Sequence, residues 1–306
     1  SYTQPFVYAR KERISTLNCE PRMSDVFLYN GPINRRADLE FINFLDENRQ
    51  SDCLKLLLVT PGGDPDAAYK IARYIQSHYS KFECYISGFC KSAGTLLAVG
   101  TTELIFSPYG ELGPLDVQHS KPDDLFGLDS GLNISEAFRT IEGRARHTFH
   151  ALVSEIISNS GGVVSFQTAS HCASEIISSL YGPIFGGIDP EEVGSRARAM
   201  RIGEDYGMRL NGKFKNLRAK SLSTLSQSYS SHGFVIDMQE ACALFERVRW
   251  ETEEEKLLAR ALGTKARFPG DRVEFENLAE LLSSLEQSDE TQADEQPHDP
   301  PPREVA

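Results

Sequence analysis

Two stretches decide how this chain folds: LKLLLVTPGGDPDAA (Leu54–Ala68) and FECYISGFCKSAGTLLAVG (Phe82–Gly100). Each begins with a largely apolar run, Leu54–Val59 in the first, broken only by Lys55, and Phe82–Ile86 in the second, broken only by Glu83. Such runs suit strands of a parallel sheet covered on both faces. Each run stops at a glycine-containing turn and gives way to a helical pattern. In the first, Asp64 is placed to cap the helix and Pro65 fits its first turn. Ala68, Ile71, Ala72 and Ile75 recur at the spacing of one buried helical face. In the second, a short helix runs from Ser92 to Val99 and Gly100 closes it. Strand, glycine turn and helix, used twice in about fifty residues, predict an α/β domain built from repeated strand–helix units.

The same pattern extends outward. Val26–Tyr29 reads as a strand, broken at Gly31-Pro32, and Asp38 as the cap of a helix with Leu39, Ile42 and Leu45 on its apolar face. Leu104–Phe106 is a further strand. After Gly131 the chain becomes mostly helical. Ile134, Phe138, Ile141, Ala145, Phe149, Leu152 and Ile156 mark one long helix over 133–159. Others are expected near 171–180, over 190–211 with Asp189 as cap, and at Met238–Val248 and Phe275–Leu285. The organisation that follows is an irregular arm at 1–22, a folded domain over 23–286, and an acidic, proline-rich and disordered tail at 287–306.

Charge and composition exclude several classes. The chain has 306 residues and a formal charge of −12, so a nucleic-acid partner is not expected. No apolar run approaches the roughly twenty residues of a membrane span, and the N-terminus lacks a signal-peptide core. The six cysteines (Cys19, Cys53, Cys84, Cys90, Cys172, Cys242) form no CxxC pair, which suits a reduced, cytoplasmic setting. No phosphate-cradling glycine motif is present, and His147 with His150 lack a third ligand on their face, so neither a cofactor nor a metal is expected. The stretch 195–220 is rich in Arg and Lys in an acidic protein. It reads as a solvated helix face, with an acidic partner as the functional alternative.

The chemistry concentrates at the two turns. Ser92 opens a helix, where developing negative charge is favoured. Ala93 and Gly94 leave room for a substrate carbonyl, and the Ala93 N–H is one of the amides a helix start leaves unpaired. A second donor from Gly62 or Gly63 would complete an oxyanion hole. A serine nucleophile also needs a base. Asp116 in GPLDVQ and His232 in SHGFVID are the candidates, with His119, Lys91 and Lys121 weaker ones.

TPGGDPDAA, SAGTLLAVG and ELIFSPYGELGPLDVQ together resemble the Clp-protease/signal-peptide-peptidase group of serine peptidases. Within it, the chain looks most like the serine dehydrogenase proteinase family, as do GPIFGGIDPEEVGSRARAMRIGEDYG and SHGFVID. The likeness runs from about residue 24 to 250. It implies a ClpP/crotonase-like fold of repeated ββα units with a helical C-terminal part. It also implies Ser92 as nucleophile, Gly62 and Ala93 as oxyanion amides, and Asp116 where Clp-type proteases carry a histidine. A peptide or protein substrate is implied, as is a homo-oligomer assembled through the long apolar helix. Two other readings share the fold: an oligomeric scaffold with little catalysis, and a crotonase-like enzyme acting on a thioester, which would not need Ser92.

Overall fold

The computed structural model describes residues 24–115, 118–119, 129–187, 190–229, 231 and 233–285. Its centre is a six-stranded sheet. In chain order the strands and helices that build it are β1 (Ser24–Asn30), α1 (Arg35–Asn48), β2 (Cys53–Val59), α2 (Pro65–His78), β3 (Lys81–Ile86), β4 (Phe89–Cys90), α3 (Ala93–Val99), β5 (Glu103–Phe106) and β6 (Glu111–Leu112). After them come the short strands β7 (Gln118–His119) and β8 (Asp129–Ser130). The helical part follows: α4 (Gly131–Asn159), α5 (Phe166–Gly186), α6 (Pro190–Phe214), α7 (Ser221–Gln227) and α8 (Met238–Leu244). The chain then returns to the sheet through β9 (Val248–Trp250), α9 (Glu253–Leu262) and β10 (Glu274–Asn277).

The sheet order is β10-β1-β2-β3-β5-β9, parallel throughout except for β10, which pairs antiparallel with β1. This is the α/β architecture the two apolar runs predict. β2 and β3 lie in the middle of the sheet. All of β2 except the half-buried Lys55 is out of solvent, as is all of β3 except Lys81. One face packs on α1, α2 and α3 through Phe41, Leu45, Ile71, Ile75, Leu97 and their neighbours. The other face, Leu28, Leu57, Tyr85 and Ile105, is covered by Leu258 and Ala259 of α9.

Each central strand continues, beyond its end, into a second short extended piece before its helix begins. Ile33 bridges Gly63, Thr60 bridges Cys90, β4 pairs parallel with β6, and Leu112 bridges Ile236. These pieces line up as a small second layer at the C-terminal ends of the parallel strands. The repeat is therefore strand, short strand, helix. In open parallel sheets this end carries ligand sites.

Several expectations are corrected. The first helix begins earlier than Asp38: Asn34 caps α1, its side chain accepting from the Arg36 and Ala37 N–H groups. The shift moves the buried stripe to Ala37, Asp38, Phe41 and Leu45, and leaves Leu39 outward. Asp38, now inside, takes the Lys70 ammonium at 2.7 Å. The helix expected over Met238–Val248 ends at Leu244, and its last residues turn into β9. Of the helix expected over Phe275–Leu285, 279–285 is helical, whereas Phe275 lies in β10, its ring packing on Tyr29 and Phe41 at the sheet edge. Cys53 is disulfide-bonded, whereas Cys84, Cys90, Cys172 and Cys242 are free, so the reading of six reduced thiols fails at Cys53. The arm at 1–22, the tail at 287–306 and Asp189 lie outside the described residues.

Candidate active site

The two glycine turns meet. Gly62 (φ +98°) packs so closely on the second turn that a Cβ there would lie 2.6 Å from Ser92 Cβ, 2.8 Å from the Lys91 carbonyl and 3.1 Å from the Ala93 nitrogen. Gly94 is pressed the other way, where a Cβ would come 2.5 Å from Thr60 Cγ2. Backbone bonds weld the contact. The Thr60 N–H donates to the Phe89 carbonyl at 2.8 Å, and the Lys91 N–H donates to the Thr60 carbonyl at 3.0 Å.

Ser92 immediately precedes α3 at φ +51°, a left-handed conformation uncommon outside glycine. Its side chain does not cap the helix. A strained non-glycine residue held by its surroundings is a recurrent feature of functional sites. The structure pins it from behind: the Gly94 N–H bonds the Lys91 carbonyl at 2.8 Å and the Leu96 N–H bonds the Ser92 carbonyl at 3.2 Å.

Ser92 lines a small, half-open cleft together with Gly63, Pro65, Ala93, Leu96, Leu115 and Gly203. Backbone geometry sorts the amides around it. The Gly62 N–H donates to Thr60 Oγ1 at 3.0 Å. The Ile33–Gly63 bridge uses the Ile33 N–H, which donates to the Gly62 carbonyl, and the Asp64 N–H, which donates to the Ile33 carbonyl. In a parallel bridge the central residue's own N–H points away from its partner strand. For Gly63 that direction is away from Ile33. Among the described residues neither the Gly63 nor the Ala93 N–H has an acceptor.

Lys91, next to Ser92, is not a base poised on it. Its side chain is 3% exposed and turns to the other side, donating to the Leu112 and Phe234 carbonyls at 3.1 Å each and approaching Glu111 at 3.4 Å. Burial holds its amino group below the usual lysine range, against the opposing pull of Glu111. Lys91 thus ties the serine turn to two other segments, β6 and the stretch before Ile236. Thr95 adds a second tie, its Oγ1 donating to the Gly113 carbonyl at 2.7 Å. Leu115, at the far end of this tied segment, is fixed by its N–H to the Leu225 carbonyl at 2.9 Å.

Asp116, His232 and Lys121 lie outside the described residues, and His119 is described only as part of β7. Of the residues singled out in sequence, the structure brings together Ser92, Ala93, Gly62 and Gly63. Sequence reading missed Pro65, Leu96, Leu115 and Gly203 as cleft walls, and Lys91 as the tie behind the serine. An isolated glycine inside the helical pattern of α6 was a signal that could have flagged Gly203. Among the described residues no cluster of metal-ligating side chains occurs, and no helix is long and apolar enough to cross a membrane. In the basic stretch, Arg218 is spent internally, donating to the Cys242 and Phe245 carbonyls at the end of α8. Arg198, Arg201 and Arg209 remain exposed along α6.

No protein-family model matches the sequence, and no curated protein matches it. Among solved structures, a mutant of the 1510-N membrane-bound stomatin-specific protease aligns with 48% of this chain and 68% of its own, at 17% identity and a TM-score of 0.29. ClpP1 from Listeria monocytogenes aligns with 48% of this chain and 76% of its own, at 18% identity and a TM-score of 0.26. A Streptomyces coelicolor A3(2) protein assigned as an enoyl-CoA hydratase aligns with 95% of this chain and 90% of its own, at 12% identity and a TM-score of 0.35. Likenesses at these scores leave the functional reading to the chain's own geometry.

Proposed function

We propose that the chain is a serine hydrolase that cleaves peptide bonds, with Ser92 as its nucleophile. The observation that carries this reading is the meeting of the two glycine turns around a strained serine at the mouth of a cleft. The Ser92 hydroxyl attacks the substrate carbonyl carbon. The oxygen of that carbonyl gains negative charge and is received by the Ala93 and Gly63 N–H groups. Gly63 takes the place expected of Gly62, whose N–H is engaged by Thr60 Oγ1. The C–N bond then breaks, the amine leaves with a proton, and water hydrolyses the acyl-serine.

The proton passes through Asp116 or His232. Asp116 follows directly in sequence on Leu115, a cleft wall. His232 is two residues from Phe234, whose carbonyl accepts from Lys91. A carboxylate in Asp116's role would need burial to raise its pKa toward the working pH. A homo-oligomer formed through α4 and α5 is part of the proposal, supported by Phe138, Ile176, Leu180 and Ile184, which lie at or near the surface of this helical pair.

The test is labelling by a fluorophosphonate, with the modified residue located by peptide mass. Label on Ser92, lost in Ser92→Ala, is the expected result. Labelling at Ser92 that Asp116→Asn slows and His232→Gln does not assigns the base to Asp116, and the reverse assigns it to His232. A folded wild-type chain that never takes up label would refute the nucleophile and favour a scaffold or a thioester enzyme on the same fold.

A further inference from the structure

We infer that Gly203 sets the depth of the cleft beside Ser92, and with it the largest substrate side chain the site accepts. The inference rests on Ser92 being the nucleophile. Gly203 sits in the interior of the 25-residue helix α6, where glycine is disfavoured because it restricts the unfolded chain least. A neighbour that leaves no room for a side chain favours a glycine in a helix interior.

Packing does so at the neighbouring glycine and not at this one. One turn further on, a Cβ at Gly207 would lie 2.5 Å from Leu222 Cδ1, so α7 packs directly on that glycine. A Cβ at Gly203 would meet no described atom within 4 Å. Every other described glycine with such open space beside it is exposed to solvent, whereas Gly203 is buried. Buried, open beside its Cα, and lining the cleft with Ser92 and Leu96, Gly203 leaves a void that belongs to the cleft. Of the other described walls, Ala93, Leu96 and Leu115 are apolar and buried, and Pro65 is apolar and half-buried. Position 203 is thus where an added side chain shortens the cleft without displacing any described atom.

The experiment uses the full chain and two alkyl fluorophosphonates, one carrying a methyl group and one a bulky cyclohexylmethyl group. Ser92 Oγ displaces fluoride at phosphorus in both, so the difference between them reports space alone. Labelling rates are measured for the wild type, Gly203→Ala and Gly203→Leu. The methyl probe gives each variant its reference rate. The bulky probe should slow by roughly 10-fold in Gly203→Ala and by about 100-fold or more in Gly203→Leu, the range set by one or more methylenes in an apolar pocket. Should Gly203→Leu fail to fold by circular dichroism, Gly203→Ala, a residue a helix prefers, carries the test alone. An unchanged ratio of the two rates overturns the inference, as does equal slowing of both probes, which would mean obstruction of Ser92 itself. A wild-type chain labelled by neither probe overturns the nucleophile assignment first, and the inference with it.

Discussion

Replacing Gly63 by alanine tests the oxyanion assignment. Gly63 has φ +137°, and a Cβ built on it would lie 2.0 Å from the Ile33 carbonyl oxygen. Real Cβ contacts essentially never fall under 3.0 Å, so the turn must retreat from Ile33 by about 1 Å or change its φ. Either response loosens the two backbone hydrogen bonds of the bridge, Ile33 to Gly62 at 2.8 Å and Asp64 to Ile33 at 2.9 Å. Two weakened backbone bonds and a disfavoured φ together cost about 2–5 kcal/mol of stability. The chemical cost is separate. A displacement of about 1 Å at a positioning group lowers a rate by about 100-fold, and loss of one oxyanion donor costs about 100- to 1,000-fold. Fluorophosphonate labelling of Ser92 should therefore slow by at least about 100-fold under conditions where circular dichroism still shows a folded chain. Urea denaturation supplies the stability term independently. Gly212→Ala is the control, since Gly212 is exposed in α6 with nothing within 4 Å of its added Cβ. It should leave labelling unchanged and add up to about 1 kcal/mol of stability. A folded Gly63→Ala chain that labels at the wild-type rate would refute the role of the Gly63 amide.

Two predictions concern buried charges, one behind the serine turn and one on the sheet. Lys91→Met removes the ammonium from the Leu112 carbonyl, which keeps the Ile236 N–H, and from the part-buried Phe234 carbonyl, which should lower stability by about 1–3 kcal/mol in urea melts; a loss under about 0.5 kcal/mol would show the tie to be dispensable. Glu255 is 1% exposed; burial alone would raise its pKa, but Arg249 and Lys55 bind it and hold the carboxyl at about 2, below its ordinary 4.5. A lowered carboxyl contributes stability fully above pH 4.5 and loses it as the pH falls toward 2, because the unfolded chain is protonated first. The stability difference between wild type and Glu255→Gln should therefore shrink by about 2 kcal/mol between pH 6 and pH 3. A difference that stays constant across that range would show that Glu255 is not held ionised by this pair of cations.

Much of this was legible in the chain. The largely apolar runs at Leu54–Val59 and Phe82–Ile86, each with a single charged residue, could satisfy themselves only between two covering layers, and so specified β2, β3 and a parallel α/β core. Asp64, Pro65 and the stripe from Ala68 to Ile75 marked α2, because capping and helical periodicity are local properties. Ser92 and the two glycine turns stood out for the same reason. The strands β9 and β10 did not. Three or four residues carry little period of their own, and they become strands only because Phe106 and Asn30 offer them an edge to pair with. Nor did the sequence separate Gly62 from Gly63. Both are glycines in one turn, and only the pairing of Ile33 decides which amide is turned away from its neighbour and which is taken by Thr60. The sequence by itself determined which residues could react. Tertiary structure decided which of them meet, because Gly203 and Ser92 lie more than a hundred positions apart, and nothing local to either residue encodes the cleft between them.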